Sequence, residues 1–253
     1  MSGWLRVVGI GPGPERWITP ESAEVLHAAT DLVGYRTYLG RVTPTAAQRV
    51  HDSDNGDELA RARHALQLAA EGKQVAVVSG GDAGVFAMAS AVFEAIESGP
   101  LSQRALDVAV LPGVTAMLAA AARLGAPLGN DFCTLNLSDN LKPWRIIETR
   151  LRLAAQADFV MALYNPASRA RPTQVYEAFA ILRAELPPET VVVFAKAIGR
   201  PDEEVTVSTL GEADPAIADM RTLLIIGARG TRCLARPEGM PWVYSRRRLD
   251  GAP

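Results

Sequence analysis

The chain has 253 residues, which at about 150 residues per domain is room for one large or two small domains with real cores. With 48% hydrophobic and 21% charged residues it lies in the globular range, which excludes a disordered, collagenous or coiled-coil chain. Lys and Arg (26) nearly balance Asp and Glu (28), so a formal charge of -2 offers no positive field to a nucleic-acid backbone.

Short β-branched runs alternate with longer Ala- and Leu-rich segments, the pattern of an α/β protein with a mainly parallel sheet. The first predicted strand, Leu5–Val8, runs into Gly9-Ile10-Gly11-Pro12-Gly13-Pro14. Thr19 is expected to N-cap a helix with Pro20 at its first position and Glu21 and Glu24 in the opening turn, ending near Ala29. Leu59, Ala62, Leu66, Ala69 and Ala70 recur at three- and four-residue steps and predict a helix over Asp57–Glu71, stopped by Gly72. A strand over Val75–Ser79 leads into Gly80-Gly81-Asp82-Ala83-Gly84 and a helix to about Glu97. A strand over Val108–Leu111 leads through Pro112-Gly113 into a helix over Val114–Leu124, broken by Gly125-Ala126-Pro127 and Gly129. The domain boundary is placed there, giving an N-terminal α/β domain over residues 1–127 and a C-terminal one over residues 128–253.

The second half is expected to run strand Phe132–Leu137, helix Trp144–Ala157, strand Phe159–Tyr164, helix Thr173–Glu185, then strands Val191–Ala195, Glu204–Val207 and Thr222–Ile226. Pro201-Asp202-Glu203 reads as a turn between strands, so antiparallel pairing and a mixed sheet are expected. Cys133 and Cys233 are expected to be two buried free thiols, and His27, His51 and His64 fall at no zinc spacing, so no metal site is predicted. The first residues lack the order of a signal peptide, and no apolar run approaches the roughly 18 residues of a membrane span, so a cytoplasmic protein without a membrane partner is expected. Arg246-Arg247-Arg248 reads as an exposed tail.

The opening glycine loop is not a dinucleotide fingerprint. Pro14 stands where G-x-G-x-x-G needs its third glycine, and prolines at 12 and 14 remove N–H donors. The alternatives are a stiff turn or a wall of a ligand site. Ser79-Gly80-Gly81-Asp82-Ala83-Gly84 is expected to let backbone approach a ligand, with Asp82 either binding a cation or capping the next helix. Thr115, in Leu111-Pro112-Gly113-Val114-Thr115-Ala116, is a ligand contact or a helix-start hydroxyl. All three loops end strands of one domain, and adjacent parallel strands would deliver them to the same edge.

Gly9-Ile10-Gly11-Pro12-Gly13, Gly80-Gly81-Asp82 and Pro112-Gly113-Val114-Thr115-Ala116 together resemble the three N-terminal signatures of the tetrapyrrole (corrin/porphyrin) methyltransferases. Leu163-Tyr164-Asn165 resembles that family's methionine-side contact. The resemblance spans essentially the whole chain. It implies the two-domain tetrapyrrole methylase (class III methyltransferase) fold, with S-adenosylmethionine in a cleft between domains and S-adenosylhomocysteine as product. Val33-Gly34-Tyr35-Arg36-Thr37-Tyr38, Gly81-Asp82-Ala83-Gly84-Val85-Phe86, Gly125-Ala126-Pro127-Leu128 with Asp131-Phe132-Cys133, Leu137-Ser138-Asp139 with Pro143-Trp144, and Tyr164-Asn165-Pro166 are similar to the branch that methylates precorrin-3B at C17 with ring contraction. Some members of that branch have His before Asp-Phe-Cys, where this chain has Asn130.

The resemblance implies cofactor contacts at Pro12, Gly81, Asp82, Val85, Thr115, Ala116, Asn165, Ala197 and Ile225. Methyl transfer from a sulfonium calls mainly for alignment in an enclosed site, whereas the accompanying contraction requires a base for the C20 hydroxyl. Asp131 and Asp139 are the candidates, each with a bland alternative as an exposed or turn-forming carboxylate. Arg36, Lys142, Arg169 and Arg171 are candidates for the substrate carboxylates, and Tyr35, Tyr38 and Trp144 for its face, although core packing explains an aromatic equally well. The partner implied is a small-molecule tetrapyrrole, and relatives suggest a homodimer. The competing readings are a sister enzyme acting at C11 or C20, the cobalt-containing anaerobic branch, an RNA ribose methylase disfavoured by charge, and a non-catalytic tetrapyrrole carrier.

Overall fold

The computed structural model describes residues 3–54 and 56–248, and the chain divides into two compact units, Met1–Thr115 and Ala116–Pro253. The first unit contains β1 (Trp4–Gly9), α1 (Pro20–Ala28), β2 (Asp31–Tyr35), α2 (Arg36–Leu39), β3 (Arg49–Ser53), α3 (Glu58–Ala70), β4 (Gln74–Ser79), α4 (Met88–Ser98) and β5 (Asp107–Leu111). Its five strands lie in the order β3-β2-β4-β1-β5, and every pair is parallel.

Helices cover both faces of this sheet, which is why β1 and β4 read as nearly unbroken apolar runs. Leu5, Val7, Val75 and Val77 face α3 and α4, through Ala62, Ala65, Leu66 and Val92. Val8, Ile10, Leu32 and Val78 face the other way, against Leu26 of α1 and Leu39 of α2. Thr19 caps α1 as expected, its hydroxyl accepting the Ser22 N–H at 3.2 Å. β3 escaped the sequence pattern because it is an edge strand whose side chains, Arg-Val-His-Asp-Ser, are exposed or half-buried.

The second unit contains α5 (Ala116–Leu124), β6 (Gly125–Ala126), β7 (Phe132–Asn136), α6 (Trp144–Gln156), β8 (Val160–Tyr164), α7 (Gln174–Glu185), β9 (Val191–Lys196), β10 (Glu204–Thr209), β11 (Thr222–Ile226), β12 (Thr231–Leu234) and β13 (Trp242–Ser245). The main sheet has the order β10-β9-β11-β8-β7. β7 and β8 are parallel, while β11 runs antiparallel to both β8 and β9, and β10 antiparallel to β9, so the sheet is mixed as expected. Ile147, Leu151 and Ala155 repeat every fourth residue along α6 and bury one stripe with Val175, Phe179 and Leu182 of α7.

Residues 116–127, assigned from sequence to the first domain, group with the second unit. Gly125 and Ala126 pair with Val243 and Tyr244 of β13, and the Ser245 hydroxyl donates to the Pro127 carbonyl. The two-residue β6 and the short β12 and β13 carry too little pattern for a sequence to announce. Both cysteines are free, but neither is fully buried as expected: Cys133 on β7 is half-buried, and Cys233 is exposed because it lies on β12 of the small sheet β12-β13-β6. Arg246, Arg247 and Arg248 are exposed.

Candidate active site edges

The first unit's carboxyl edge is built from backbone. β4, β1 and β5 are neighbours, so the loops after them meet. Gly11 and Gly81 exchange N–H···O=C bonds of 3.0 Å in both directions. Asp82 then joins the second loop to the third: one carboxylate oxygen accepts the Gly84 N–H at 2.8 Å and the other the Gly113 N–H at 2.9 Å. Asp82 is thus not the cap of the following helix. The chain turns through Phe86 at a φ of 51° before α4 begins at Met88, so the carboxylate serves the loops instead.

The packing of these loops also changes the role of their glycines. A Cβ on Gly113 would lie 2.4 Å from the Gly81 carbonyl oxygen, so Gly113 is required by the neighbouring loop rather than by a ligand. Gly81 differs. Its φ is 68°, and the nearest atom to a Cβ there is the Thr115 Cα at 4.0 Å, so its open side is free for a ligand to approach.

The second unit's carboxyl edge is built from side chains. β7, β8 and β9 all end there, placing Asn136 to Asp139, Asn165 and Ala197 along one rim. The Asn136 side-chain oxygen accepts the Ser138 N–H at 2.9 Å and the Asn165 amide at 3.1 Å. The Tyr164 hydroxyl accepts the Met117 N–H at 3.1 Å, satisfying one of the orphan donors of the first turn of α5. Asp139 accepts from Gln174 at 3.1 Å and lies 3.9 Å from the Arg171 guanidinium. Lys142 donates to the Ser138 carbonyl at 3.1 Å, and burial together with the charges of Arg150 and Arg171 lowers its ammonium pKa, against the opposing pull of Asp139.

Among the described residues, Phe86, Asp158, Asn165 and Ala197 are the non-glycine positions with positive φ. Asp158 ends α6 in a left-handed turn, with N–H bonds from 158 and 159 returning to Ala155 and Ala154, an ordinary helix stop. The other three terminate no helix. Each follows a strand, at the carboxyl edge of its own unit, and backbone strain held at such positions is a mark of functional sites.

Pro12, Gly81, Asp82, Val85 and Thr115 therefore share the edge of the first unit with Tyr35 and Arg36 at the end of β2. Arg36 is 69% exposed and paired with Asp52 at 2.6 Å, so its charge is partly answered within the unit. Ala116, Asn165 and Ala197 belong to the second unit, with Asp139, Lys142 and an exposed Arg169. Two expected residues lie elsewhere in that unit. Ile225 sits within β11, paired with Ala162 and Val193 and 1% exposed. Asp131 precedes β7 at the opposite end of the sheet, about 17 Å from the rim for a strand of five residues. Tyr38 packs on the first unit's core and Trp144 on the second's. Arg171, expected to receive substrate carboxylates, is buried and donates to the Leu137 and Asn165 carbonyls instead, and Tyr164, expected within the Leu163-Tyr164-Asn165 contact, bonds the start of α5; Asn136 had no assigned role, and the only signal for it was its closeness to Leu137-Ser138-Asp139.

The chain matches the family of Tetrapyrrole (Corrin/Porphyrin) Methylases over residues 5–214, which span the first unit and most of the second, and it belongs to that family. It is 54% identical over 252 residues to a Precorrin-3B C(17)-methyltransferase of Sinorhizobium sp, covering 100% of this chain and 99% of the relative. It is 42% identical to a Probable cobalt-factor III C(17)-methyltransferase of Salmonella typhimurium, covering 90% of this chain and 93% of that protein. Among solved structures it is similar to the methyltransferase CobJ, with a TM-score of 0.92 at 51% identity, covering 97% of this chain and 100% of that one.

Proposed function

We propose that this protein methylates precorrin-3B at C17 and contracts its ring to precorrin-4, in cobalamin biosynthesis. The observation that carries this reading is the end-to-end 54% identity with the Sinorhizobium relative of that name. When bound, S-adenosylmethionine supplies an electrophilic methyl group whose transfer needs alignment rather than a covalent enzyme intermediate. The chain's own residues fit that demand. Gly81 leaves open space beside the first unit's loops, and Pro12, Asp82, Val85 and Thr115 surround it along the same edge. Ala116, Asn165 and Ala197 are the contacts the second unit offers, the last two in left-handed backbone.

Asp139 is the base we assign to the C20 hydroxyl. It is 26% exposed, fixed through one oxygen by Gln174, and close to Lys142, which would hold a substrate carboxylate with Arg169. Asp131, remote from that rim, is the weaker candidate. Tyr35 and Arg36 are the first unit's contribution to the tetrapyrrole. Ile225 supports the rim from within β11. A cytoplasmic homodimer completes the reading; no helix among the described residues is long and apolar enough to cross a membrane.

The test is anaerobic incubation with S-adenosylmethionine and, separately, precorrin-2, precorrin-3B and the cobalt-containing counterpart, read by absorbance and product mass. A methylated, ring-contracted product from precorrin-3B alone is expected. Turnover of the cobalt form would favour the second reading, for which the 42% identity to the Salmonella relative speaks. Methylation without contraction would assign a sister reaction, and binding without turnover a carrier.

A further inference from the structure

We propose that Arg171 is a positioning residue for methyl transfer: a buried cation that clamps the loops after β7 and β8 and so fixes Asn165 and Asp139. The inference deepens the function proposed above and rests on it. An arginine side chain only 7% exposed is unusual unless its donors are used. Here Nη1 donates to the Leu137 carbonyl at 3.3 Å and to the Asn165 carbonyl at 3.4 Å. Nη2 meets the Met220 sulfur at 3.8 Å, and Nε lies 3.9 Å from an Asp139 oxygen. Reciprocal backbone bonds between Ser168 and Arg171, 3.2 and 3.0 Å, close the short turn that presents the side chain.

Those contacts separate two roles. A receptor for substrate carboxylates needs a guanidinium open to solvent, and Arg171 instead points its donors at main-chain carbonyls and is buried. Asn165 gains most from this. Its φ of 53° lies in the left-handed region, which asparagine tolerates better than most Cβ-bearing residues, and it is held there from both ends, by Asn136 through its side chain and by Arg171 through its carbonyl. Asp139 is held likewise, one oxygen bonded to Gln174 and the other drawn toward the guanidinium. A planar fork can serve two carbonyls and a carboxylate at fixed angles, whereas a single ammonium cannot.

The experiment is equilibrium binding of S-adenosylhomocysteine, with steady-state kinetics, for the wild type, Arg171→Lys and Arg171→Gln, each checked by circular dichroism. Arg171→Lys is expected to stay folded, to bind S-adenosylhomocysteine roughly tenfold more weakly and to raise the KM for S-adenosylmethionine, while the tetrapyrrole KM stays within about twofold. Arg171→Gln should behave the same way, because it also loses the fork. A rise in the tetrapyrrole KM alone would make Arg171 a substrate receptor and overturn the proposal. Unchanged constants would also overturn it, as would unfolding of both variants, which would make the residue purely structural. A wild type that binds S-adenosylhomocysteine but leaves precorrin-3B unmethylated would remove the substrate assignment while leaving the clamp to be judged by the binding data.

Discussion

The two units present the same kind of surface, the carboxyl edge of a sheet, and build it in opposite ways. In the first, the loops after β1 and β4 bond main chain to main chain at Gly11 and Gly81, and Asp82 ties the second loop to the Gly113 N–H of the third. In the second, the strand ends are held by Asn136, Asn165, Gln174 and Arg171, residues far apart in the sequence. The backbone edge depends on the absence of side chains; the side-chain edge depends on their exact partners. Substitutions should therefore fail differently in the two places.

The largest effect is expected at Gly113. A methyl group there meets the Gly81 carbonyl oxygen at 2.4 Å and the Gly9 backbone at 2.8 Å, and neither can yield as the end of a side chain could. Gly113→Ala should cost about 1–3 kcal/mol, the range for overpacking, and weaken S-adenosylhomocysteine binding by spreading the loops. Urea denaturation and calorimetric binding check both. An alanine variant of wild-type stability would show that the edge is softer than its contacts imply.

The same contrast governs how far the sequence could be read. The first unit's edge is encoded in three contiguous stretches, each beginning where an apolar strand stops, so glycine and proline patterning located it and the parallel order brought it together. What no local pattern records is the role of Gly113, which accommodates a neighbouring loop and which only the three-dimensional register reveals. In the second unit Asn165 was legible through Tyr-Asn-Pro, but Asn136 and Arg171 matter through partners 29 and 34 residues away, and no local pattern records such pairings. Asp131 and Asp139 are eight positions apart, and what separates them is β7, which runs the length of the sheet between them. Short edge elements, β3 and β6 above all, lacked the periodicity that identifies a strand.

Asp82→Asn sharpens the comparison, because it changes the side chain that ties the second loop of the backbone edge to the third while keeping its shape. One carboxamide cannot accept through both of its ends, so either the Gly84 or the Gly113 N–H loses its acceptor. A loss of about 1–2 kcal/mol is expected, with a higher KM for S-adenosylmethionine. Methyl transfer indistinguishable from wild type would remove Asp82 from the site.

A pH dependence follows from Asp31, at the start of β2 and away from both edges. Burial pushes its carboxyl upward, but hydrogen bonds from His51 at 2.8 Å and Thr30 at 2.7 Å, with the charges of His51 and Arg49, leave it below the usual aspartate value of 3.8. A carboxylate with a depressed folded-state pKa adds stability that is present above its unfolded pKa and is lost as the pH falls through the folded one. Asp31→Asn should therefore lower stability near neutral pH and flatten its decline in acid below about pH 4, as followed by denaturant midpoints across pH. A variant with the same acid slope would place the stabilising charge elsewhere.

The smallest effect is expected at Ala197, and its smallness is informative. A left-handed conformation costs an L-residue about 1–2 kcal/mol, so Ala197→Gly relieves strain at a φ of 51°. The same change removes a methyl group that is 3% exposed, worth about 0.8 kcal/mol, and adds about 0.5–1 kcal/mol of unfolded-chain freedom. These nearly cancel, so stability should move by less than about 0.5 kcal/mol. Ala65, fully buried in the middle of α3, has no strain to release, and Ala65→Gly should cost about 2 kcal/mol from the lost methyl and the helix penalty. The difference between the two variants, read from paired urea titrations, measures the strain stored at the rim. Equal losses at both positions would mean that Ala197 holds its backbone without cost, and the link between strain and site would lose its energetic basis.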